Sequence, residues 1–153
     1  MHSSELAGFF CEDYFIPKLS SVDKEHVLGE MVQPFLNTGK IKSRSLIMEN
    51  LFKRETLGST GIGKGVAIPH CRSLAVSEIL IIVGISEEGV HYAAIDKKKV
   101  HLFFLIIAPP QEKSNLYLPI LGKIVEIVRD SKKRRSLMKA ENYTTFLKVI
   151  TGD

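Results

Sequence analysis

The chain has 153 residues, 44% of them hydrophobic and 25% charged, a balance that fits one domain with a sizeable core. No apolar stretch reaches the length of a membrane span. MHSSELAGFF at the N-terminus lacks the basic segment and apolar core of a secretory signal, and two cysteines, Cys11 and Cys71, read as reduced thiols, so a cytoplasmic address without membrane insertion is expected. A net charge of +4 and the run Lys132, Lys133, Arg134, Arg135 raise nucleic acid as a partner. The run follows a helical segment, however, where cations suit the C-terminal end, and no aromatic residues interleave with it. Nucleic acid is therefore set aside, and a mildly basic face suits an acidic protein partner instead.

Val27, Leu28, Met31, Val32, Phe35 and Leu36 recur at helical spacing, with Gly39 as a stop and Pro34 expected to kink the last turns. Ser43 or Ser45 caps a second predicted helix through Leu46, Ile47, Asn50 and Leu51, ending near Arg54 and Glu55. A glycine-rich stretch leads into a short strand at Val66 to Ile68. Ile79 to Ser86 is a continuous β-branched run, the mark of a strand buried on both faces. Glu87 to Gly89 reads as a turn, followed by a weaker edge element at Val90 to Ile95. Val100 to Ala108 is a second buried strand, stopped by Pro109 and Pro110. Helical spacing returns at Leu116, Ile120, Ile124 and Val128, and a last helix is expected over Tyr143 to Ile150. Helices flanking doubly buried strands predict an α/β layered domain, with no repeat or linker to divide it.

The most informative stretch is GSTGIGKGVAIPHCR, Gly58 to Arg72. It approaches two nucleotide motifs and misses both. Gly58 to Lys64 satisfies the first part of a P-loop, but Gly65 stands where a magnesium-binding hydroxyl belongs, and a helix precedes it instead of a strand. Gly61, Gly63 and Gly65 are spaced G-x-G-x-G, not the G-x-G-x-x-G of a dinucleotide fold. Two readings stay open: a tight or mobile connection with positive φ angles, or a nest of backbone N–H groups for an anion, with Ser59 and Thr60 adding hydroxyl donors.

Arg54 before the loop and His70 after it favour the anion. A neutral imidazole is a good nucleophile toward phosphorus. Its reference pKa of about 6.5 keeps it mostly unprotonated at neutral pH. Such chemistry needs one ring nitrogen held by an acceptor, donors for the phosphoryl oxygens and a cation. Pro69 restricts the backbone just before His70, and Arg54 offers a planar bidentate donor. The bland alternatives are a hydrogen-bonded structural histidine and a helix-end cation. His26, His91 and His101 have no metal-site spacing, Cys71 beside His70 is not a zinc pair, and no hydrolase triad can be read. The residues alone reach an anion site with a histidine, and not a reaction.

RETLGSTGIGKGVAIPHCR resembles the signature of the fructose/mannitol-type enzyme IIA domain of the bacterial phosphoenolpyruvate-dependent phosphotransferase system, nitrogen-regulatory members included. LSSVDKEHVLGEMVQPFLNTGKI resembles the family's first helix and turn, and VHLFFLIIAPP its central strand. The resemblance implies a single IIA domain over residues 1–153, core about 15–151, folded as an α/β sandwich in which a mixed β-sheet is flanked by helices. It implies that His70 is the phospho-acceptor, on Nε2, with Arg54 beside it and Ser59 and Thr60 lining the pocket. The implied donor is the histidine-containing phosphocarrier protein and the implied recipient an enzyme IIB domain, with no metal and no nucleotide cofactor. One departure stands out: members commonly carry a second histidine at the start of the helix after the central strand, and here Asn115 occupies that position. Asparagine still donates to a phosphate oxygen but carries no positive charge. The resemblance leaves a phosphocarrier in sugar uptake, a nitrogen-type regulator and a non-phosphorylated partner-binding module as alternatives. The intact His70 loop argues against the last.

Overall fold

The fold is built around one strand. In the computed structural model, which describes residues 1–152, β6 (Val100–Ala108) is buried along nearly its whole length. It pairs antiparallel with β5 (Leu80–Val90), which in turn pairs parallel with the short β1 (Phe15–Ile16). Along its other edge β6 meets β3 (Val66–Ala67) and then β4 (His70–Arg72), both parallel to it. β2 (Gly61–Gly63) closes that side, antiparallel to β3. The sheet is thus mixed, as the resemblance implied.

Side chains alternate across the two central strands. Ile82, Phe103, Leu105 and Ile107 face one core, with α2 (Lys24–Asn37) and α3 (Arg44–Glu55). Ile81, Val83, Phe104 and Ile106 face the other, with α1 (Ser3–Ala7), α4 (Tyr117–Arg129), α5 (Ser131–Met138) and α6 (Tyr143–Thr151). A period of two with both faces covered is what makes these strands read as unbroken apolar runs. Burying a Leu, Ile or Phe here contributes about 1.5–3 kcal/mol of transfer free energy.

Several predicted boundaries shift. α2 runs past Pro34 to Asn37, and its first turn is capped by Asp23, whose carboxylate accepts from the His26 N–H at 3.0 Å. Of the two candidate caps for α3, Ser43 fills the role, accepting from the Leu46 N–H at 3.2 Å. Glu87 to Gly89 is not a turn: β5 continues to Val90 through a register shift after Ile85. Gly89, at φ 91°, donates to the Ser86 hydroxyl at 2.9 Å, which accommodates the extra residues inside the strand. The edge element expected after Val90 reduces to one bridge, His91 to Asp23. The basic run is a helix of its own, α5, capped by Asp130. No helix among the described residues is long and apolar enough to cross a membrane.

Candidate functional site

α3 ends at Glu55, and the chain turns through Gly58, at φ 138°, into β2. Gly61 lies so close to the 94 position that an added Cβ would sit 2.8 Å from the Ala94 Cα. Only glycine admits that approach. The Ile68 N–H donates to the Thr60 carbonyl at 3.0 Å, which ties the loop to the segment carrying His70.

His70 opens β4, half-buried, with its register partner Ile106 on the central strand. Its Nδ1 lies 2.8 Å from the Ile68 carbonyl oxygen. A carbonyl only accepts, so Nδ1 carries the proton and donates, leaving Nε2 with a free lone pair. Burial holds the imidazole below its ordinary pKa; the Arg54 charge adds to this, while the Ile68 hydrogen bond and Glu55 oppose it. The ring is therefore neutral and nucleophilic at physiological pH. Cys71, the next residue, points into the core, and burial pushes its thiol up to about 12, which removes it as a competing nucleophile.

Arg54, in the last turn of α3, donates through Nη1 to the Gly58 carbonyl at 2.8 Å. That contact positions the guanidinium at the loop. Ser59 Oγ accepts from the Gly61 N–H at 3.0 Å and keeps its own hydrogen free to donate. Thr60 stands differently. It is 3% exposed, and its hydroxyl donates to the Glu55 carboxylate while its N–H donates to Glu55 Oε1 at 3.2 Å. With the Thr60 hydrogen committed, the Tyr92 hydroxyl is the donor in the 3.0 Å contact between the two oxygens. Lys24 Nζ pairs with Glu55 Oε1 at 2.9 Å and lies 4.5 Å from the centre of the Tyr92 ring.

This chain of groups revises the nest reading of the loop. The N–H groups of Gly58, Thr60 and Gly61 are taken by the Glu55 carbonyl, the Glu55 carboxylate and Ser59 Oγ. The glycines make a tight, internally bonded turn, and the donors left for an anion are mainly side chains.

Asn115 sits just before α4, exposed, at φ 56°. It lines an open pocket with Arg72, Lys113 and Tyr117. α4 has no capping residue at Leu116; Glu112 supplies the cap from upstream, accepting from the Leu116 N–H at 2.9 Å. Tyr117 then presents its ring to His70, with centroids 6.3 Å apart.

The structure thus brings His70, Arg54, Ser59 and Thr60 together around one loop, with Asn115 in the open pocket beside Tyr117. Sequence reasoning passed over Glu55, Tyr92, Tyr117 and Arg72. The adjacent Arg54–Glu55 pair and the alternation His70, Cys71, Arg72 were visible hints; the two tyrosines join the site only through the fold.

Fold and site together define a class: an α/β sandwich that carries, on a short parallel strand beside its central one, a histidine with one nitrogen tied to the backbone and the other free. The model of the phosphoenolpyruvate-dependent sugar phosphotransferase system EIIA 2 family matches residues 9–152, and the chain belongs to that family. It is similar to the fructose-specific EIIABC component of Bacillus subtilis, 33% identical over 132 residues, covering 86% of this chain and 21% of that longer protein. A nitrogen regulatory protein of Pseudomonas aeruginosa is 32% identical over 104 residues, covering 68% of this chain and 67% of its own length. Among solved structures, the nitrogen regulatory protein IIA-Ntr of Neisseria meningitidis superposes with a TM-score of 0.87 at 26% identity, covering 96% of this chain and 99% of that one.

Proposed function

We propose that the chain is a histidine phosphocarrier that accepts a phosphoryl group on Nε2 of His70 from the histidine-containing phosphocarrier protein, with a nitrogen-type regulatory role. The observation that carries the reading is the Nδ1–H donation to the Ile68 carbonyl at 2.8 Å, which aims one lone pair away from the backbone. In the transfer, the Nε2 pair forms the new N–P bond as the donor's N–P bond breaks and its electrons return to the donor imidazole. The proton stays on Nδ1 throughout, donated to the Ile68 carbonyl. Arg54 and Ser59 supply donors for the phosphoryl oxygens. Thr60 acts through Glu55, holding the loop in register with β3, and Asn115 contributes an uncharged donor at the rim.

The similarity to a IIA-Ntr structure supports the regulatory assignment. A second reading, a IIA unit that passes phosphate to an enzyme IIB in fructose- or mannitol-type uptake, is supported by the 33% identity to the fructose-specific relative.

The test is phosphorylation with phosphoenolpyruvate, enzyme I and the phosphocarrier protein, read by intact mass. An acid-labile phosphate on the wild type and none on His70→Gln is expected. No phosphate on a folded wild type with active donor would overturn the reading. Adding a IIB domain then separates the two roles: rapid discharge favours uptake, and retention favours regulation.

A further inference from the structure

A phosphoryl group on His70 brings two negative charges into a site that already holds the Glu55 carboxylate. The Gly58, Thr60 and Gly61 N–H groups of the loop are taken, the Leu116 N–H at the head of α4 is taken by Glu112, and Asn115 is uncharged. Beside the loop, part of the Arg54 guanidinium is committed to Gly58, and Lys24 is paired with Glu55. On the α4 side the pocket beside Asn115 is lined by Arg72 and Lys113, and of the two Arg72 shares an aromatic ring with His70.

Arg72 stands on that side. It follows His70 by two residues in β4, with Cys71 buried between them, so the His70 and Arg72 side chains leave the strand on the same face. Both meet one aromatic ring: the Arg72 guanidinium carbon lies 4.5 Å from the Tyr117 centroid, and the His70 ring lies 6.3 Å from it. The remaining ties on Arg72 are long, 3.3 and 3.4 Å to the carbonyls of Pro109 and Pro110. An exposed cation seated on a ring and loosely bonded to two carbonyls moves at low cost. Its fork of donors matches a phosphoryl group in a way a point charge does not.

We infer that Arg72 is a second phosphoryl-binding cation, resting on Tyr117 and turning to the phosphoryl oxygens when Nε2 of His70 is loaded. This rests on the phosphocarrier reading above. Arg54 then meets the group from the α3 side and Arg72 from the α4 side, supplying the charge that Asn115 lacks.

The test compares wild type with Arg72→Gln and Arg72→Lys, each first checked for an unchanged melting temperature. Phosphoramidate serves as the donor, loading His70 without any partner protein, and loading rate and the phosphorus NMR titration of the bound group are recorded. Arg72→Gln should load roughly tenfold more slowly, the loss of one charge-assisted contact in the transition state. It should also titrate its phosphoryl oxygens at higher pH, since a lost neighbouring cation favours the protonated form. Arg72→Lys should restore most of the titration and less of the rate. Unchanged rate and titration in Arg72→Gln would overturn the inference while leaving His70 as acceptor. A wild type that takes no phosphate even from phosphoramidate would overturn both.

Discussion

A histidine whose Nδ1–H donates to a backbone carbonyl has a single nitrogen left for chemistry, and at His70 that nitrogen belongs to a ring kept neutral by burial. The midpoint of its proton NMR titration should fall below the reference value of about 6.5; a midpoint above it would mean that a carboxylate, not burial, dominates the ring. Beneath the ring, Thr60 links Glu55 to Tyr92. The Glu55 side chain is only 5% exposed, so Thr60→Val strips a donor from a buried carboxylate and an acceptor from a buried hydroxyl. A stability loss of about 1–3 kcal/mol is expected in denaturant unfolding, with slower phosphorylation because the loop loses its anchor. At this scale the sequence exposed the residues close to one another along the chain, Arg54, Ser59, Thr60 and His70. Tyr92 and Tyr117 stayed hidden because they reach the site across the sheet and from a later helix, where no local pattern records the meeting.

Elements were legible where burial imposes a period. β5 and β6, with α2, α3, α4 and α6, present apolar residues at spacings set by the cores they face. Segments with little to bury left little trace. α1 has five residues and one buried side chain, β1 has two residues, and α5 buries only Leu137 beneath an exposed basic surface. Caps divide the same way. Ser43 is a side chain of the expected kind in the expected place, and Ser43→Ala should cost about 1 kcal/mol in thermal or denaturant unfolding. Glu112 caps α4 from outside the usual position, which hid it from a reading of Leu116 and its neighbours. Because it secures the turn that presents Tyr117 to His70, Glu112→Ala should loosen that contact and broaden the Tyr117 ring signals in NMR spectra, with little change in global stability.

Across the whole molecule, the sheet carries a core on each face, and the histidine site lies where the α3 side of one layer meets the α4 side of the other. Folding therefore links to the protonation of His70. Its folded pKa is depressed, so the unfolded chain binds the proton more readily; the stability it contributes is fully present above about pH 6.5 and is lost as pH falls below that value. His26, exposed beside Asp23, shifts the opposite way, and its contribution is present at low pH and fades as pH rises. Between about pH 8 and about pH 5.5 the wild type should lose stability more steeply than His70→Gln, in which the site no longer titrates. Equal slopes would place the linkage elsewhere.

The most direct test of the account is nitrogen-15 NMR of the His70 ring, before and after loading with phosphate. An Nδ1–H tautomer is expected in the free protein and phosphorus bonded to Nε2 in the loaded one, with the Nδ1 proton still present. Phosphorus on Nδ1, or an Nε2–H tautomer in the free protein, would contradict the assignment of Ile68 as the group that aims the ring.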